Sequence, residues 1–210
     1  MGLHDLLQAV LEGNVSATTR AVNVALSEGI PVEQVLRDGL ISAMNEVGRQ
    51  FERGDIYVPE MLVAAKAMQA GLALLKPQLV QHGVVMAGKV VLGTVKGDLH
   101  DIGKNLVGMM LEGAGFEVVD MGTDVPPERF AQAVREHSPQ VVGMSALLTT
   151  TMQNMRASIE ALEDSGVRSM VKVIVGGAPV SEGLASKIGA DGYAPDAGSA
   201  VREVRRMLGV

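Results

Sequence analysis

The second part of the chain alternates short apolar runs with longer helical patterns, and this alternation restricts the fold more than any other feature. The strand candidates are Lys89–Val95, Phe116–Asp120, Val141–Ser145, Val171–Val175 and a short segment near Tyr193. The helical candidates start near Asp101, Pro126, Thr150 and Ser181, and a last one runs from Ala197 to Leu208. Repeats of this kind connect through right-handed crossovers and form a parallel sheet with helices on both faces. The pattern predicts a five-stranded, flavodoxin-like (Rossmann-like) α/β domain over residues 89–210.

Residues 1–80 carry a helical periodicity instead. Asn14 is placed to cap a helix that runs to Glu28, and Pro31 can occupy the first turn of the next helix. That helix has apolar residues on one face, namely Val32, Val35, Leu36, Leu40, Met44, Val47 and Phe51. A fourth helix begins near Pro59, and Pro77 is expected to end it. We therefore expect an N-terminal four-helix bundle, followed by a linker over residues 81–88.

Charge and composition exclude several classes of function. The net charge of -6 argues against nucleic-acid binding, which needs an excess of Lys and Arg. The absence of cysteine from the sequence excludes disulfides and thiolate metal sites. The first residues lack the basic start and unbroken apolar run of a signal peptide, and no stretch approaches the ~20 apolar residues of a membrane span. We expect a folded cytoplasmic protein with no nucleic-acid or membrane partner.

The carboxyl ends of the predicted strands indicate where a ligand binds. In an open parallel sheet, ligands bind beyond these ends, at the point where the strand order reverses. The first strand ends in the segment Lys96–Asn105, the third in Ser145–Thr151 and the fourth in Gly176–Pro179. If the strand order is the common 2-1-3-4-5, these three segments converge on one site.

The first of these segments contains a candidate metal ligand. Asp98 and His100 are two residues apart, so in an extended segment they project to the same side, and the carboxylate can accept a hydrogen bond from one imidazole nitrogen. The other nitrogen is then free to bind a metal. Gly103 opens the following helix without a side chain, so a bulky ligand can approach the backbone. A lone loop histidine and a glycine turn also occur in α/β domains without such a function.

Competing nucleotide and phosphate motifs do not fit this segment. Gly97 to Lys104 has five residues between its glycines instead of the four of a P-loop, and Asn105 stands where Ser or Thr would bind magnesium. No Gly-x-Gly-x-x-Gly follows the first strand, which disfavours dinucleotide binding. A phosphoacceptor domain would need an Asp at the end of the third strand, where this chain has Ser145.

Taken together, the three segments resemble the cobalamin-binding modules that hold their cofactor base-off, with a protein histidine replacing the cofactor's own base on cobalt. Their signature of Asp-x-His-x-x-Gly, Ser-x-Leu and Gly-Gly reads here as Asp98-x-His100-x-x-Gly103, Ser145-x-Leu147 and Gly176-Gly177, at matching intervals. The resemblance implies cobalamin (a corrinoid of cobalt) as the cofactor. It implies His100 as the metal ligand and Asp98 as its hydrogen-bond partner.

The resemblance also implies further cofactor-binding residues. Thr151 falls where methionine synthase has a Ser that completes a ligand triad, and Ser145 would contact the displaced nucleotide base. Gly103, Gly176 and Gly177 would leave a slot for the nucleotide tail, although tight turns explain glycines equally well. The remaining implied contacts in the same segments are Asp101, Ile102, Leu147 and Thr149.

The helical half resembles the four-helix module of methionine synthase. The segments Gly48-Arg-Gln-Phe51 and Tyr57-Val58-Pro59 match its pattern. Phe51 and Val58 stand at the positions that cover the reactive face of the cofactor there, so the resemblance implies that residues 1–80 form a cap. Burial in the bundle core is an alternative explanation for both residues.

Cap and cofactor domain together resemble the free-standing corrinoid proteins of three-component methyltransferase systems. This implies a methyl carrier that serves a substrate-specific methyltransferase and an acceptor methyltransferase, with tetrahydrofolate or coenzyme M as the acceptor and a reductive activase as a further partner. No independent substrate site is expected, since a substrate barrel of ~250 residues does not fit in this chain. The alternatives are a cobalamin-dependent regulator, which would need a DNA-binding element, and a mutase small subunit, which usually lacks the cap.

Overall fold

The computed structural model describes residues 2–84 and 86–210. These residues form two compact units. The helical unit comprises Met1–Met86 with Glu112–Gly115, and the α/β unit comprises Ala87–Leu111 with Phe116–Val210. Val85, in the expected linker, and Met1 lie outside the described residues.

The helical unit contains the four expected helices. They are α1 (Leu3–Leu11), α2 (Val15–Ser27), α3 (Val32–Gln34, Val35–Ile41 and Ser42–Arg53 in one continuous run) and α4 (Val58–Gln81). Asn14 caps α2 as predicted, because its Oδ1 accepts a hydrogen bond from the amide of Ala17 at 3.0 Å. The middle stretch of α3 is π-helical, which the periodicity did not indicate. The side chains of α3 that were predicted to be apolar and inward-facing are buried, except for Phe51, which is half-buried.

The prediction that Pro77 ends the fourth helix is wrong. Helix α4 continues through Pro77 to Gln81. A proline inside a helix removes one backbone hydrogen bond and costs about 3 kcal/mol. Leu75 and Leu79 on either side of it are 0% and 4% exposed, so packing of this turn in the bundle offsets that cost.

Helix α4 also corrects the expectation that no segment approaches a membrane span. Its 24 residues have a mean hydropathy of 1.3 in the most apolar window, which meets the length and composition of a spanning helix. Within the protein, 44% of that window is buried. Met61, Met68 and Leu75 are among its buried side chains. The central helix of a bundle has this composition too, because it is packed on several sides.

Among the residues that the structure describes, one buried hydroxyl of the helical unit lacks a hydrogen-bond partner. Thr18 on α2 is fully buried, and none of the described residues forms a hydrogen bond with its Oγ1. A Cβ built on Gly71 of α4 would lie 3.1 Å from Thr18 Cγ2 and 3.0 Å from Leu40 Cδ2. The three helices therefore pack closely here around the missing side chain of Gly71.

The α/β unit has the predicted architecture. Its strands are β1 (Lys89–Thr94), β2 (Glu117–Asp120), β3 (Val141–Ser145), β4 (Lys172–Gly176) and β5 (Gly192–Ala194). Its helices are α5 (Ile102–Gly113), α6 (Pro127–His137), α7 (Gln153–Asp164), α8 (Glu182–Ile188) and α9 (Ala197–Leu208), with a short 3₁₀ turn at Arg168–Met170. All strand pairs are parallel and the order is β2-β1-β3-β4-β5. The prediction of a flavodoxin-like sheet is confirmed.

The register of the central strands brings their carboxyl ends level. Thr94, the last residue of β1, pairs with Ser145 of β3, and Ser145 pairs with Gly176 of β4. The strands are held in place by a core on one sheet face that includes Phe130, Val134, Met155, Ile159 and Leu162. Because β1 lies between β2 and β3, the strand order reverses beside the β1 carboxyl end.

Candidate functional site

The three segments singled out in the sequence start from one row at the carboxyl edge of the sheet. The segment after β1, called the His loop (Val95–Asp101), follows Thr94, and the segments after β3 and β4 follow Ser145 and Gly176. The observed strand order is the one that the predicted convergence required. The candidate residues of the α/β unit therefore lie along one edge of the sheet.

Asp98 joins two of these segments through both of its carboxylate oxygens. Its Oδ1 accepts hydrogen bonds from Nδ1 of His100 at 2.7 Å and from the His100 amide at 3.1 Å. Its Oδ2 accepts from the amides of Leu147 and Leu148, at 2.8 and 3.2 Å, and from Thr151 Oγ1 at 2.7 Å. The carboxylate is 0% exposed. Asp98 thus fixes the imidazole and also connects the His loop to the segment after β3.

These hydrogen bonds keep Asp98 ionised. Burial raises the pKa of a carboxyl, and that effect opposes ionisation here. The hydrogen bonds from Thr151, the Leu147 amide and His100 outweigh it and hold the pKa of Asp98 well below its usual range. A buried carboxylate that accepts from five donors is charged at neutral pH.

The charge on Asp98 determines which nitrogen of His100 is available. An ionised carboxylate only accepts hydrogen bonds, so Nδ1 carries a proton, and in the neutral form of the ring the lone pair is on Nε2. The His100 side chain is 50% exposed, and Nε2 has no hydrogen-bond partner among the described residues. The arrangement fixes the orientation of the imidazole and leaves Nε2, the nitrogen that can bind a metal, accessible.

Apolar side chains that would ordinarily be buried are exposed in the same two segments. Leu99 is 73% exposed and Ile102 is 77% exposed on either side of His100, and Leu147 and Leu148 are 42% and 43% exposed. Single exposed apolar residues are common, but several together indicate a binding surface. Leu99 and Leu148 were not among the predicted site residues. Both are apolar residues in segments that the sequence had already identified as the ligand site, and this could have indicated them.

The glycines divide into two groups. A Cβ built on Gly103 would meet no atom within 4 Å, so the missing side chain leaves open space beside the His loop. A Cβ on Gly176 would lie 2.7 Å from the carbonyl oxygen of Ala194, and one on Gly177, whose φ is +128°, would collide with the carbonyl of Ala146. Close packing therefore requires Gly176 and Gly177 whether or not a ligand binds.

The other predicted residues take varied positions. Ser145 is half-buried at the end of β3, Thr149 is exposed in the segment after it, and Asp101 is exposed and accepts from Asn105 Nδ2 at 3.1 Å. Phe51 and Val58 lie in the helical unit, near the end of α3 and at the start of α4, and both are half-buried. These two residues flank the turn between those helices.

Three contacts that hold the His loop were not predicted. Thr94 Oγ1 donates to the His100 carbonyl at 2.9 Å, Asp124 Oδ1 accepts from the Gly97 amide at 2.6 Å, and Asn154 Nδ2 donates to the Lys96 carbonyl at 2.7 Å. Asp124 has a φ of +53°, an uncommon conformation outside glycine. All three contacts involve main-chain atoms of the loop, which no side-chain motif indicates.

An ion pair between a buried lysine and a partly exposed aspartate anchors the first turn of α5. Nζ of Lys104, whose side chain is 3% exposed, lies 2.6 Å from each carboxylate oxygen of Asp120 and 2.7 Å from Asn105 Oδ1. Asp120 is the last residue of β2. The pair therefore fixes the helix that follows the His loop against the sheet edge.

The single available nitrogen of His100 fits a metal whose other ligands belong to a cofactor. Among the described residues, no three His, Asp or Glu side chains are grouped to hold a bare metal ion. His100 offers a single nitrogen surrounded by exposed apolar groups, which suits a metal already held in a large, mostly apolar ring. A cavity of about 720 Å³, lined by Arg168, Lys172 and Asp191 among others, lies instead at the amino ends of the strands.

Two family profiles, each described as a B12 binding domain, match this chain. One covers residues 88–202 and the other covers residues 3–76. They correspond to the α/β unit and to most of the helical unit.

Curated and solved proteins show the same similarity. A dimethylamine corrinoid protein of Methanosarcina acetivorans is 44% identical over 98% of this chain and 96% of its own length. The crystal structure of a cobalamin-binding protein from Desulfitobacterium hafniense is 33% identical with a TM-score of 0.80, over 99% of this chain and 98% of that one. A chain of the methanol:cobalamin methyltransferase complex of Methanosarcina barkeri is 28% identical with a TM-score of 0.89, over 99% of this chain and 79% of that one.

Proposed function

Because this chain belongs to the family of B12-binding corrinoid proteins, we propose that it carries methyl groups from a substrate-specific methyltransferase to an acceptor methyltransferase. The bound cobalamin supplies the chemistry, since its cobalt can accept and release a methyl group. The protein supplies binding and orientation. The observation that carries the proposal is the His100 imidazole, held at Nδ1 by buried, ionised Asp98 and accessible at Nε2.

In this proposal the cofactor is bound base-off and His-on. His100 Nε2 is the protein ligand, Asp98 fixes its tautomer, and Thr151 holds Asp98 through the 2.7 Å hydrogen bond. Exposed apolar residues support the ring, and the cofactor covers them from water when it binds. These residues are Leu99, Ile102, Leu147 and Leu148. Ser145, Thr149, Asp101 and the open space at Gly103 contribute the remaining contacts, and Gly176 and Gly177 line the slot for the nucleotide tail.

The proposed partners follow from the family. The similarity to a chain of a methanol:cobalamin methyltransferase complex supports the proposal that a separate methyltransferase activates the methyl donor. The similarity to a dimethylamine corrinoid protein and to a chain of a methanol:cobalamin methyltransferase complex suggests methylated amines and methanol as the donors to try first. Tetrahydrofolate or coenzyme M is the proposed acceptor, a reductive activase is a further partner, and the cytoplasm is the proposed location.

A labelled-methyl experiment tests the carrier function. The protein is loaded with cobalamin, reduced, and mixed with the methyltransferase encoded nearest to it and with radiolabelled dimethylamine, trimethylamine or methanol in turn. We expect one donor to leave label on this protein after gel filtration, and a later addition of acceptor methyltransferase and acceptor to remove it. A protein that binds cobalamin but retains no label from any donor would contradict the proposal, and cofactor-dependent DNA binding would indicate a regulator instead.

The helical unit provides a second, separable proposal: Phe51 and Val58 contact the bound cofactor. Phe51 is the one residue of the predicted α3 apolar face that the core does not bury. In protein loaded with methylcobalamin, we expect Phe51→Ala to leave binding intact and to speed photolysis of the methyl group, because the smaller side chain would shield that group less. Met44→Ala, at a fully packed position of the same helix, is the control for general loosening. Equal photolysis rates in wild type and Phe51→Ala would assign Phe51 to the bundle alone.

A further inference from the structure

We infer that Thr94 is a positioning residue for His100, acting through the main chain of the ligand and not through its side chain. The inference rests on the proposed function, in which His100 binds the metal. Thr94 Oγ1 donates a 2.9 Å hydrogen bond to the His100 carbonyl oxygen. No sequence motif of the site includes Thr94.

Thr94 is itself rigidly held. It is 0% exposed, and as the last residue of β1 it pairs with Ser145 of β3. Its amide donates to the Gly122 carbonyl at 3.0 Å, and its carbonyl accepts from the Val125 amide at 2.9 Å. The backbone of Thr94 is therefore hydrogen-bonded on both sides, and its hydroxyl is a rigidly placed donor for the His loop.

The carbonyl of His100 has a particular need for this donor. The backbone hydrogen bond from the Asn105 amide at the start of α5 ends on the Asp101 carbonyl at 2.7 Å. The His100 carbonyl lies one residue outside that ladder, and Thr94 supplies the hydrogen bond that the helix does not. Without it, the peptide between His100 and Asp101 can rotate, and the imidazole moves with it.

With the Thr94 hydroxyl, His100 is held by hydrogen bonds on two sides. Asp98 holds the His100 amide and Nδ1 from one side, and Thr94 holds the carbonyl from another. Two contacts to one carboxylate still allow the residue to pivot about it, whereas a contact at the carbonyl stops the pivot. A metal ligand must be held within about 0.5 Å of its working position, and this depends on the supporting residues.

The fold should survive the loss of this hydrogen bond. A neutral hydrogen bond contributes only about 1 kcal/mol to the stability of the fold. The positioning role therefore predicts that losing the hydroxyl weakens metal binding by His100 more than the small loss of fold stability would cause.

The test compares Thr94→Ala with Thr94→Ser, because these variants differ by one hydroxyl and both fit the space of threonine. Thr94→Val, which keeps the shape, is the third variant. We expect Thr94→Ala and Thr94→Val to speed amide hydrogen exchange of residues 99–101 in the cofactor-free protein. We also expect them to weaken cobalamin binding by about 10-fold and to reduce the fraction of cobalt(II) whose paramagnetic resonance shows a histidine nitrogen. Thr94→Ser should behave as wild type in all three measurements.

Thr18→Val is the matched control, since Thr18 is equally buried but its hydroxyl has no partner among the described residues. It should leave loop exchange, affinity and the nitrogen signal unchanged. If Thr94→Ala and Thr94→Ser give the same affinity and nitrogen signal as wild type, the inference is wrong, even if their melting temperatures fall. If wild-type protein itself shows no histidine nitrogen on cobalt, the proposed ligand fails instead, and the two failures are thereby distinguished.

Discussion

Alanine in place of His100 is expected to remove the protein nitrogen from the bound cobalt and to weaken cobalamin binding by more than about 10-fold. Even groups that only support a metal ligand contribute 10–100-fold to affinity, and His100 is the proposed ligand itself. The imidazole is half-exposed and its loss leaves Asp98 with four of its five donors, so the fold should be retained.

Paramagnetic resonance of the cobalt(II) protein measures this directly. A coordinated nitrogen splits the cobalt lines, but the cofactor's own base would split them too. Protein made with histidine labelled with the heavy nitrogen isotope resolves this, because the splitting changes from triplets to doublets only when histidine is the ligand. We expect doublets in labelled wild type and no histidine splitting in His100→Ala.

His137→Ala is the control for this experiment. His137 is a partly exposed residue in the last turn of α6. This turn leads into the amino end of β3, so it lies at the opposite end of the strands from the His loop. Its removal should leave the doublets unchanged. Triplets that persist in labelled wild-type protein would show that the cofactor keeps its own base, and the His-on proposal would be rejected.

The sequence allowed prediction of those site features that are local or that lie at strand ends. Asp98 and His100 are two residues apart, so their contact follows from an extended segment alone. The parallel sheet followed from the alternation of strands and helices, and its strand order is the common one on which the expected convergence was conditional. The contact between Asp98 and Thr151 spans 53 residues and two helix–strand repeats, and only the resemblance to a known family indicated it.

Other features depended on packing that no local pattern encodes. Thr94 acts on a main-chain carbonyl, so its role leaves no trace in a side-chain signature. Helix α4 continues through Pro77 because buried leucines on both sides outweigh a local helix-breaking preference. Gly176 and Gly177 are required by neighbouring carbonyls, which became visible only once β5 and the segment after β3 were in place.

Asp98→Asn is the second variant with a large expected effect, because Asp98 both orients His100 and joins the His loop to the segment after β3. One oxygen accepts from His100 and the other accepts from the Leu147 and Leu148 amides and from Thr151. An asparagine has one acceptor oxygen and one donor amide. It cannot serve both sides, so a donor must face donors on one of them.

The less costly orientation keeps the acceptor on the side of the Leu147 and Leu148 amides and Thr151, where three donors need it. The asparagine NH₂ then faces His100, where it can donate to Nδ1 only if that nitrogen has lost its proton. The proton moves to Nε2, and the imidazole is locked in the tautomer that cannot bind a metal. The His100 amide loses its acceptor as well, and we expect a stability loss of about 2 kcal/mol from unsatisfied groups.

Acid titration provides a check on the stability part of this prediction. Asp98 has a pKa below its usual range in the folded protein, so its contribution to stability is complete above the ordinary carboxyl pKa of about 3.9 and is lost as the pH falls through the folded value. The difference in free energy of unfolding between wild type and Asp98→Asn should therefore be constant at neutral pH and shrink below about pH 4.

Nuclear magnetic resonance of the cofactor-free protein separates the tautomers of His100, and this is the decisive measurement. Wild type should show the proton on Nδ1, and Asp98→Asn should show it on Nε2, with cobalamin binding weakened by about 10-fold or more. Asp124→Asn is the matched control, since it removes one charge from the same network but retains an Oδ1 that can accept from the Gly97 amide, and asparagine tolerates the positive φ at that position. It should keep the Nδ1 proton and the wild-type affinity. If Asp98→Asn also keeps its proton on Nδ1 and binds cobalamin as wild type does, Asp98 serves only to join the two segments of the loop network, and the orientation of His100 must come from its main-chain contacts alone.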